Sequence, residues 1–323
     1  MSEKISRREF IKQAGAVTAL ALGGISNLKA LDSTEKDKIP KRILGRTGVK
    51  VSTLGLGMGP LGIRKDNQAE LEKLVNLCID LGITYVDVAP NYGDGEQKLG
   101  PIIKHRRKEI FLVTKVEEPS KDGALRQINE SLKKMQTDHV DLVHLHDFGG
   151  MDSDMALGKD GALAGLIEAQ KAGLTKFIGV SGHQRPAKFI NAIETDKIDV
   201  VMNVLNFADR YTYNFEEKVL PTAIKHKSGI VAMKVLGGAI GMQYDKPTPS
   251  LLPEEHHNLA VRYSLGLPGV SVVNIGLKNE DEIRKAVNMV KNYKPLTDEE
   301  KQKIDDVGKQ LAKQWGAHFG SVE

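Results

Sequence analysis

The stretch VDVAPNYG places a carboxylate and a phenol five residues apart in an otherwise apolar setting. Asp87 ends the run ITYVDVA, which reads as a buried strand, and Tyr92 lies in the Pro-Asn-Tyr-Gly turn beyond it. A buried carboxylate is costly unless a cation or donor pairs with it. Lys115, near the end of IFLVTKV, and His146, near the end of VDLVHLHD, stand at the ends of other apolar runs. An ammonium fixed by Asp87 would stabilise phenolate and lower the phenol pKa from its usual value of about 10. A neutral imidazole alongside would orient a carbonyl by hydrogen bonding. Together these groups make a proton donor aimed at a carbonyl oxygen as negative charge develops there. The matching hydride cannot come from a side chain, but a nicotinamide cofactor would supply it.

Such a constellation needs elements that bring distant strand ends together. Strand-like runs occur at TLGLG, ITYVDVA, IFLVTKV, VDLVHLHD, KFIGVSG, VVMNVLN, GIVAMKV and SVVNIGL. Helical patterns separate them at QAELEKLVNLCIDLG, DGALRQINESLKKM, GALAGLIEAQKAG, RPAKFINAIET, EEKVLPTAIKHK and PEEHHNLAVRYSLGL. This alternation predicts parallel β structure with crossover helices. Runs apolar on both faces favour a closed (β/α)8 TIM barrel. A doubly wound sheet is disfavoured, because no G-x-G-x-x-G follows the first strand. RILGRTGVKVSTLGLG predicts an N-terminal β-hairpin with a Thr-Gly turn. LTDEEKQKIDDVGKQLAKQWG predicts an extra C-terminal helix, with Thr297 as N-cap and Glu300 three residues on. The final AHFGSVE reads as a tail.

In such barrels the chemistry sits at the C-terminal ends of the strands. Alternation puts Asp87, Lys115 and His146 on inward faces around one mouth. There Asp87 and Lys115 can pair, which removes the cost of burying either alone. The other strand ends offer Ser181 and His183, Asn203 and Asn206, and Lys234.

The chain has 323 residues, 40% of them hydrophobic and 27% charged, with a net charge of +4. The surplus is scattered, without a basic stripe interleaved with aromatics, so no nucleic-acid partner is expected. The one cysteine, Cys78, excludes an intramolecular disulfide and reads as a small apolar residue of an amphipathic helix. The N-terminus differs from the rest. SRREFIKQAG is followed by AGAVTALALGG, too short for a membrane span and the right length for a signal h-region. Ser6 to Lys12 resembles the twin-arginine export signal. This predicts passage through the twin-arginine machinery to the periplasm or cell envelope, with Ala30 as a candidate cleavage site; a cytoplasmic protein is the alternative. The expected organisation is a signal over 1–30, a polar linker over 31–41 and a single barrel over 42–323. The mature protein is expected to be a monomer without a stable membrane span.

In combination, DVAPNYG, VTKV and VHLHD, in this order on strands two to four, resemble the aldo-keto reductases. RILGRTGVKVSTLGLG, IGVSG and MKVLGG extend the likeness over about residues 41 to 310, and MKVLGG resembles a bacterial branch. The resemblance implies a (β/α)8 barrel that binds NADP(H) or NAD(H) without a Rossmann unit. It implies a tetrad of Asp87, Tyr92, Lys115 and His146, with Tyr92 as general acid. Ser181 would meet the nicotinamide carboxamide, and Asn203 would stand where the family has a glutamine. Met233 would replace a stacking aromatic, and Lys234 would meet the diphosphate. Leu236, Gly237, Gly276 and Lys278 complete the implied cofactor contacts. Near the expected position of an adenosine 2′-phosphate, Glu282 stands where a basic residue is usual, and Lys278 would offset it. The choice between NADP and NAD stays open.

The same residues admit other chemistries. Asp87 with Lys115 alone would fit a structural ion pair; Tyr92 and His146 in register favour catalysis. His144 shares a face with His146 but lies deeper, and reads as a core residue. His-x-His also suits metal hydrolases, but a catalytic metal wants three or more ligands and the neighbouring strand ends offer Ser, Asn and Lys. No metal is therefore expected. A Schiff-base lysine at Lys115 or Lys234 would make a cofactor-free lyase or aldolase; Asp87 beside Lys115 argues against it. A non-catalytic nucleotide-binding sensor is the third alternative. His256 and His257 read as a solvated helix start, and Trp315 as a packing residue. Asn91, Asp147, Phe148, His183 and Asn206, with Arg210, are the expected substrate lining. They are mostly polar and point to a sugar-like aldehyde or ketone.

Overall fold

The eight apolar runs become eight parallel strands in a computed structural model that describes residues 38–64, 67–244, 246 and 248–323. The segment read as an export signal, and the linker up to residue 37, lie outside the described residues. The strands are β3 (Leu54–Gly57), β4 (Tyr85–Asp87), β5 (Phe111–Val116), β6 (Val140–Leu145), β7 (Thr175–Gly182), β8 (Val200–Val204), β9 (Gly229–Met233) and β10 (Val270–Gly276). Each pairs with the next, and β10 closes on β3 to complete the barrel. Ile39–Glu323 form one compact unit.

Before the barrel, β1 (Lys41–Ile43) and β2 (Lys50–Ser52) form the expected antiparallel hairpin, with Arg42 opposite Val51. Its turn depends on Gly48, whose φ of 70° favours glycine. The hairpin turn reaches the start of β9, where Gly45 meets the backbone of Gly229, and Arg46 pairs with Asp199 at 2.9 Å. It therefore lies at the N-terminal end of the strands, away from the mouth.

The expected helices are present, with two divided: Phe215–Lys218 precedes Leu220–Lys225, and a 3-10 turn at Glu254–His256 leads into His257–Gly266. Four helices escaped the sequence pattern, two of them the short Gly59–Ile63 and Ser153–Leu157. Gly95–Arg106 carries Pro101 inside it, and Glu280–Lys291 begins with three acidic residues. The C-terminal helix Asp298–Trp315 starts at a full capping box between Thr297 and Glu300. Cys78 is fully buried, and burial pushes its thiol up to about 12. No described helix is long and apolar enough to cross a membrane.

Inside the barrel the side chains are layered. Tyr85 stacks on Phe111 at 5.7 Å, and Phe111 on Phe177 at 6.2 Å, which makes an apolar floor. One alternation step towards the C-terminal ends, the same faces carry Asp87, Val113 and Gly179, and one step beyond come Lys115 and Ser181. The floor excludes water from beneath the polar layer.

The tail differs from expectation. Residues after Trp315 fold back onto the barrel: Phe319 N–H donates to the Tyr213 hydroxyl at 2.7 Å, and Arg185 N–H donates to the Ser321 carbonyl at 3.1 Å. The Phe319 ring lies 5.3 Å from that of His183. An aromatic residue among small neighbours in the last seven gives the segment something to bury.

Candidate active site

Asp87 and Lys115 meet as the alternation requires. Lys115 Nζ donates to Asp87 Oδ1 at 2.7 Å and to the Val88 carbonyl at 2.9 Å, with both side chains almost wholly buried. The other carboxylate oxygen accepts from Asn274 Nδ2 at 2.9 Å. Tyr92 is positioned by a tight turn, its N–H donating to the Ala89 carbonyl at 3.0 Å, and its ring hangs over the pair, 4.7 Å from Lys115 Nζ. His146 stands edge-on to that ring at 6.0 Å, with Nδ1 3.4 Å from Glu117 Oε1. The structure thus brings all four expected catalytic residues to one mouth.

The electrostatics refine the expectation. Burial opposes a charge on Lys115, but Asp87 and Tyr92 outweigh it and the ammonium is held above its usual range. Burial lowers His146, so its imidazole is neutral near pH 7 and can donate to or accept from a carbonyl. Tyr92 does not follow the expectation of a lowered value. Burial raises it, Lys115 pulls it down, and the balance stays above the usual phenol range. Desolvating a phenolate costs more here than one ammonium, itself shared with Asp87, returns.

An open cleft of about 900 Å³ runs along the β9, β10, β3 and β4 side of the mouth. Asp87 and Tyr92 line it, as do Met233, Lys234, Leu236, Gly276 and Lys278 from the expected cofactor set. Lys234 Nζ donates to the Tyr244 hydroxyl at 2.6 Å, and Lys278 Nζ lies 3.2 Å from Glu282 Oε1. Three lysines line the cleft (Lys234, Lys246 and Lys278), against one carboxylate, Asp87, already paired. This donor set, beside an apolar wall of Met233, Leu236 and Ile275, fits a nicotinamide dinucleotide with its diphosphate by Lys234 and its ring by Tyr92.

Several expected contacts lie elsewhere. Asn203 does not line the cleft, because its neighbour Met202 does face the interior: Asn274 on β10 reaches the Met202 sulfur past the intervening β9 at 4.0 Å. Strand alternation then turns Asn203 outwards. Ser181 faces inwards but is covered, with its hydroxyl 3.4 Å from the Leu145 carbonyl. Gly237 turns the chain at φ 76° against Trp315 instead of lining the cleft.

Among the expected substrate residues, His183 lines the cleft, 3.7 Å from Asp147. Asn91 is exposed and donates to Glu117 at 2.5 Å. Phe148 is fully buried against Phe189 in the outer core, at 5.7 Å. Asn206 is consumed in its own loop, donating to Asp209 at 2.6 Å and to the Lys234 carbonyl at 3.0 Å. Arg210 packs between Tyr211 and Tyr263 and faces Glu216 at 3.6 Å. His144 is fully buried against Gly179, as a core residue should be.

Several cleft or mouth residues carry no reading in the sequence, among them Asn274, Tyr244, Lys246 and Phe319. Asn274 interrupts the apolar run SVVNIGL, and reading the polar residue of that eighth strand as in strands two to seven would have found it. Tyr244 and Phe319 carry no local signal, since only the folded loop and tail bring them in.

A family model described as "Aldo/keto reductase family" matches residues 53–259, well over half of the chain. This chain belongs to that family. It is similar to L-galactose dehydrogenase of Arabidopsis thaliana, at 25% identity over 80% of this chain and 90% of the relative. Pyridoxal 4-dehydrogenase of Microbacterium luteolum is 26% identical over 76% of this chain and 92% of its own. Among solved structures, the holo form of an aldo-keto reductase from Bacillus halodurans matches with a TM-score of 0.69 at 26% identity, covering 84% of this chain and 97% of that one. Aldo-keto reductases use NAD(P)H, and the relatives are oxidoreductases. The chain is accordingly an oxidoreductase of the aldo-keto reductase family.

Proposed function

We propose that the protein reduces an aldehyde or ketone to an alcohol with a nicotinamide dinucleotide, Tyr92 acting as the general acid. The observation that carries this reading is the buried Asp87–Lys115 pair beneath the Tyr92 ring, beside a neutral His146. A dinucleotide held in the cleft would supply the hydride. His146 orients the carbonyl oxygen, Tyr92 gives that oxygen its proton as charge builds on it, and Lys115 stabilises the phenolate left behind. The raised phenol does not obstruct reduction, because an alkoxide is far more basic than any phenolate.

Lys278 is already engaged by Glu282, which supports NAD(H) over NADP(H). The polar side of the mouth at His183 and Asp147 supports a hydroxylated, sugar-like carbonyl. L-galactose dehydrogenase and D-threo-aldose 1-dehydrogenase of Pseudomonas, both similar to this chain, fit that class by name. The test is cofactor oxidation at 340 nm with a panel of aldoses, small aldehydes and ketones, using NADH and NADPH separately. Oxidation with an aldose or another hydroxylated carbonyl is expected; no oxidation with any carbonyl contradicts the reading. Export by the twin-arginine route rests on Ser6 to Lys12. Changing Arg7 and Arg8 to Lys should retain the protein in the cytoplasm, and unchanged fractionation would refute export.

A further inference from the structure

Asp87 has two carboxylate oxygens, and Lys115 uses one. The second accepts from Asn274 Nδ2, 187 residues away on β10. Across one wall of the barrel, β3 separates β4 from β10. At that point β3 presents Gly55, and a Cβ there would come within 3.0 Å of the Asn274 side-chain oxygen and 2.9 Å of the Tyr85 ring. The glycine leaves the gap through which the amide reaches. An ionised carboxylate only accepts, so the amide must turn its NH2 towards Asp87. Its oxygen then finds no partner among the described residues, although it is buried. An unpaired buried amide oxygen is a cost to folding. Such a cost points to a requirement at the other end of the amide.

We propose that Asn274 is a positioning residue of the catalytic centre, fixing Asp87 so that its carboxylate holds Lys115 beneath Tyr92. The proposal rests on the tetrad reading above. With both oxygens held, one by each donor, the carboxylate cannot rotate, and the ammonium keeps both its charge partner and its aim. The titratable groups facing Asp87 are Lys115 on β5, Tyr92 in its loop, His146 just past β6 and Tyr85 below. Gly55 and Gly57 on β3 bring none.

Asn274→Leu removes the donor at similar volume. Losing a hydrogen bond to a charged group should lower kcat about tenfold or more. KM for an aldehyde probe such as DL-glyceraldehyde should stay within twofold. A loosened Asp87 supports the ammonium less, so the alkaline limb of kcat should move to lower pH. Competitive acetylation of Lys115, read by mass spectrometry across pH, should begin at lower pH for the same reason. Asn274→Asp supplies a rescue with its own signature. While the new carboxyl keeps a proton it can donate to Asp87, so activity should approach the parent's at the acid end and fall as pH rises. Unchanged kcat with an unshifted acetylation profile overturns the proposal. So does a lower Tm with an unshifted alkaline limb, which would mark a packing role. If the parent protein reduces no carbonyl, the functional reading fails, and the Lys115 acetylation profile still decides this inference.

Discussion

Lys115→Met tests whether the tetrad is held together by its buried pair. Methionine keeps the apolar stem and removes the charge. Asp87 would then lie in the barrel with only Asn274 as a donor, its side chain 3% exposed. Removing one partner of a buried pair costs about 3–5 kcal/mol, because the other charge is left uncompensated. At roughly 2–4 °C per kcal/mol for a larger domain, Tm should fall by roughly 6–20 °C. Adding Asp87→Asn should recover about 2 kcal/mol, because a neutral amide replaces the orphaned carboxylate. Urea titration followed by the fluorescence of Trp315, the one tryptophan, and by far-ultraviolet circular dichroism gives these values. A single variant within about 1 kcal/mol of the parent would refute the reasoning. So would a double variant as unstable as the sum of the two singles.

Other consequences are more briefly stated. Burial pushes His183 down to about 4 and also lowers His144 and His146, so these rings stay neutral in the folded state while the unfolded chain takes up protons. Stability should therefore fall as pH drops from about 6.5 towards about 4; thermal melts flat over that window would contradict the neutral imidazoles. Because Tyr92 is held above the usual phenol range, carbonyl reduction should be level through neutral pH, whereas alcohol oxidation, which needs the phenolate, should climb steadily with pH. Oxidation that levels off near pH 7 would show a lowered phenol instead. Phe319→Ala should open the His183 side of the mouth and raise KM for small carbonyls more than it lowers kcat; a kcat effect alone would place Phe319 elsewhere in the mechanism.

The barrel was legible because each strand is a short apolar run bounded by turn residues, and because alternation alone puts Asp87, Lys115 and His146 on inward faces. Asn203, taken as the polar residue ending its strand and matched to the family's glutamine without that rule, is misplaced. The frame of that strand is set by Met202, which meets Asn274 past β9 inside the barrel and so turns Asn203 outwards. Phe148 and Asn206 sit just past strand ends, where a loop can turn a side chain either way. One went into the outer core, and the other into the hydrogen bonds of its own loop. The Tyr92 value depended on a balance between burial and one ammonium, and residue types give only the sign of each contribution. The tail was misread because its partners, Tyr213, Arg185 and His183, are more than a hundred residues away in sequence.

The most direct test of the central claim is Tyr92→Phe, measured for both cofactor binding and turnover. NADH and NADPH titrations, followed by the quenching of Trp315 or the enhancement of cofactor fluorescence, should give dissociation constants within about twofold of the parent's, because one hydroxyl is removed from a largely apolar contact. Carbonyl reduction should fall by a factor of about 100 or more, as expected when a general acid is lost. Turnover preserved in this variant, with cofactor bound, would contradict the assignment of Tyr92 as the proton donor.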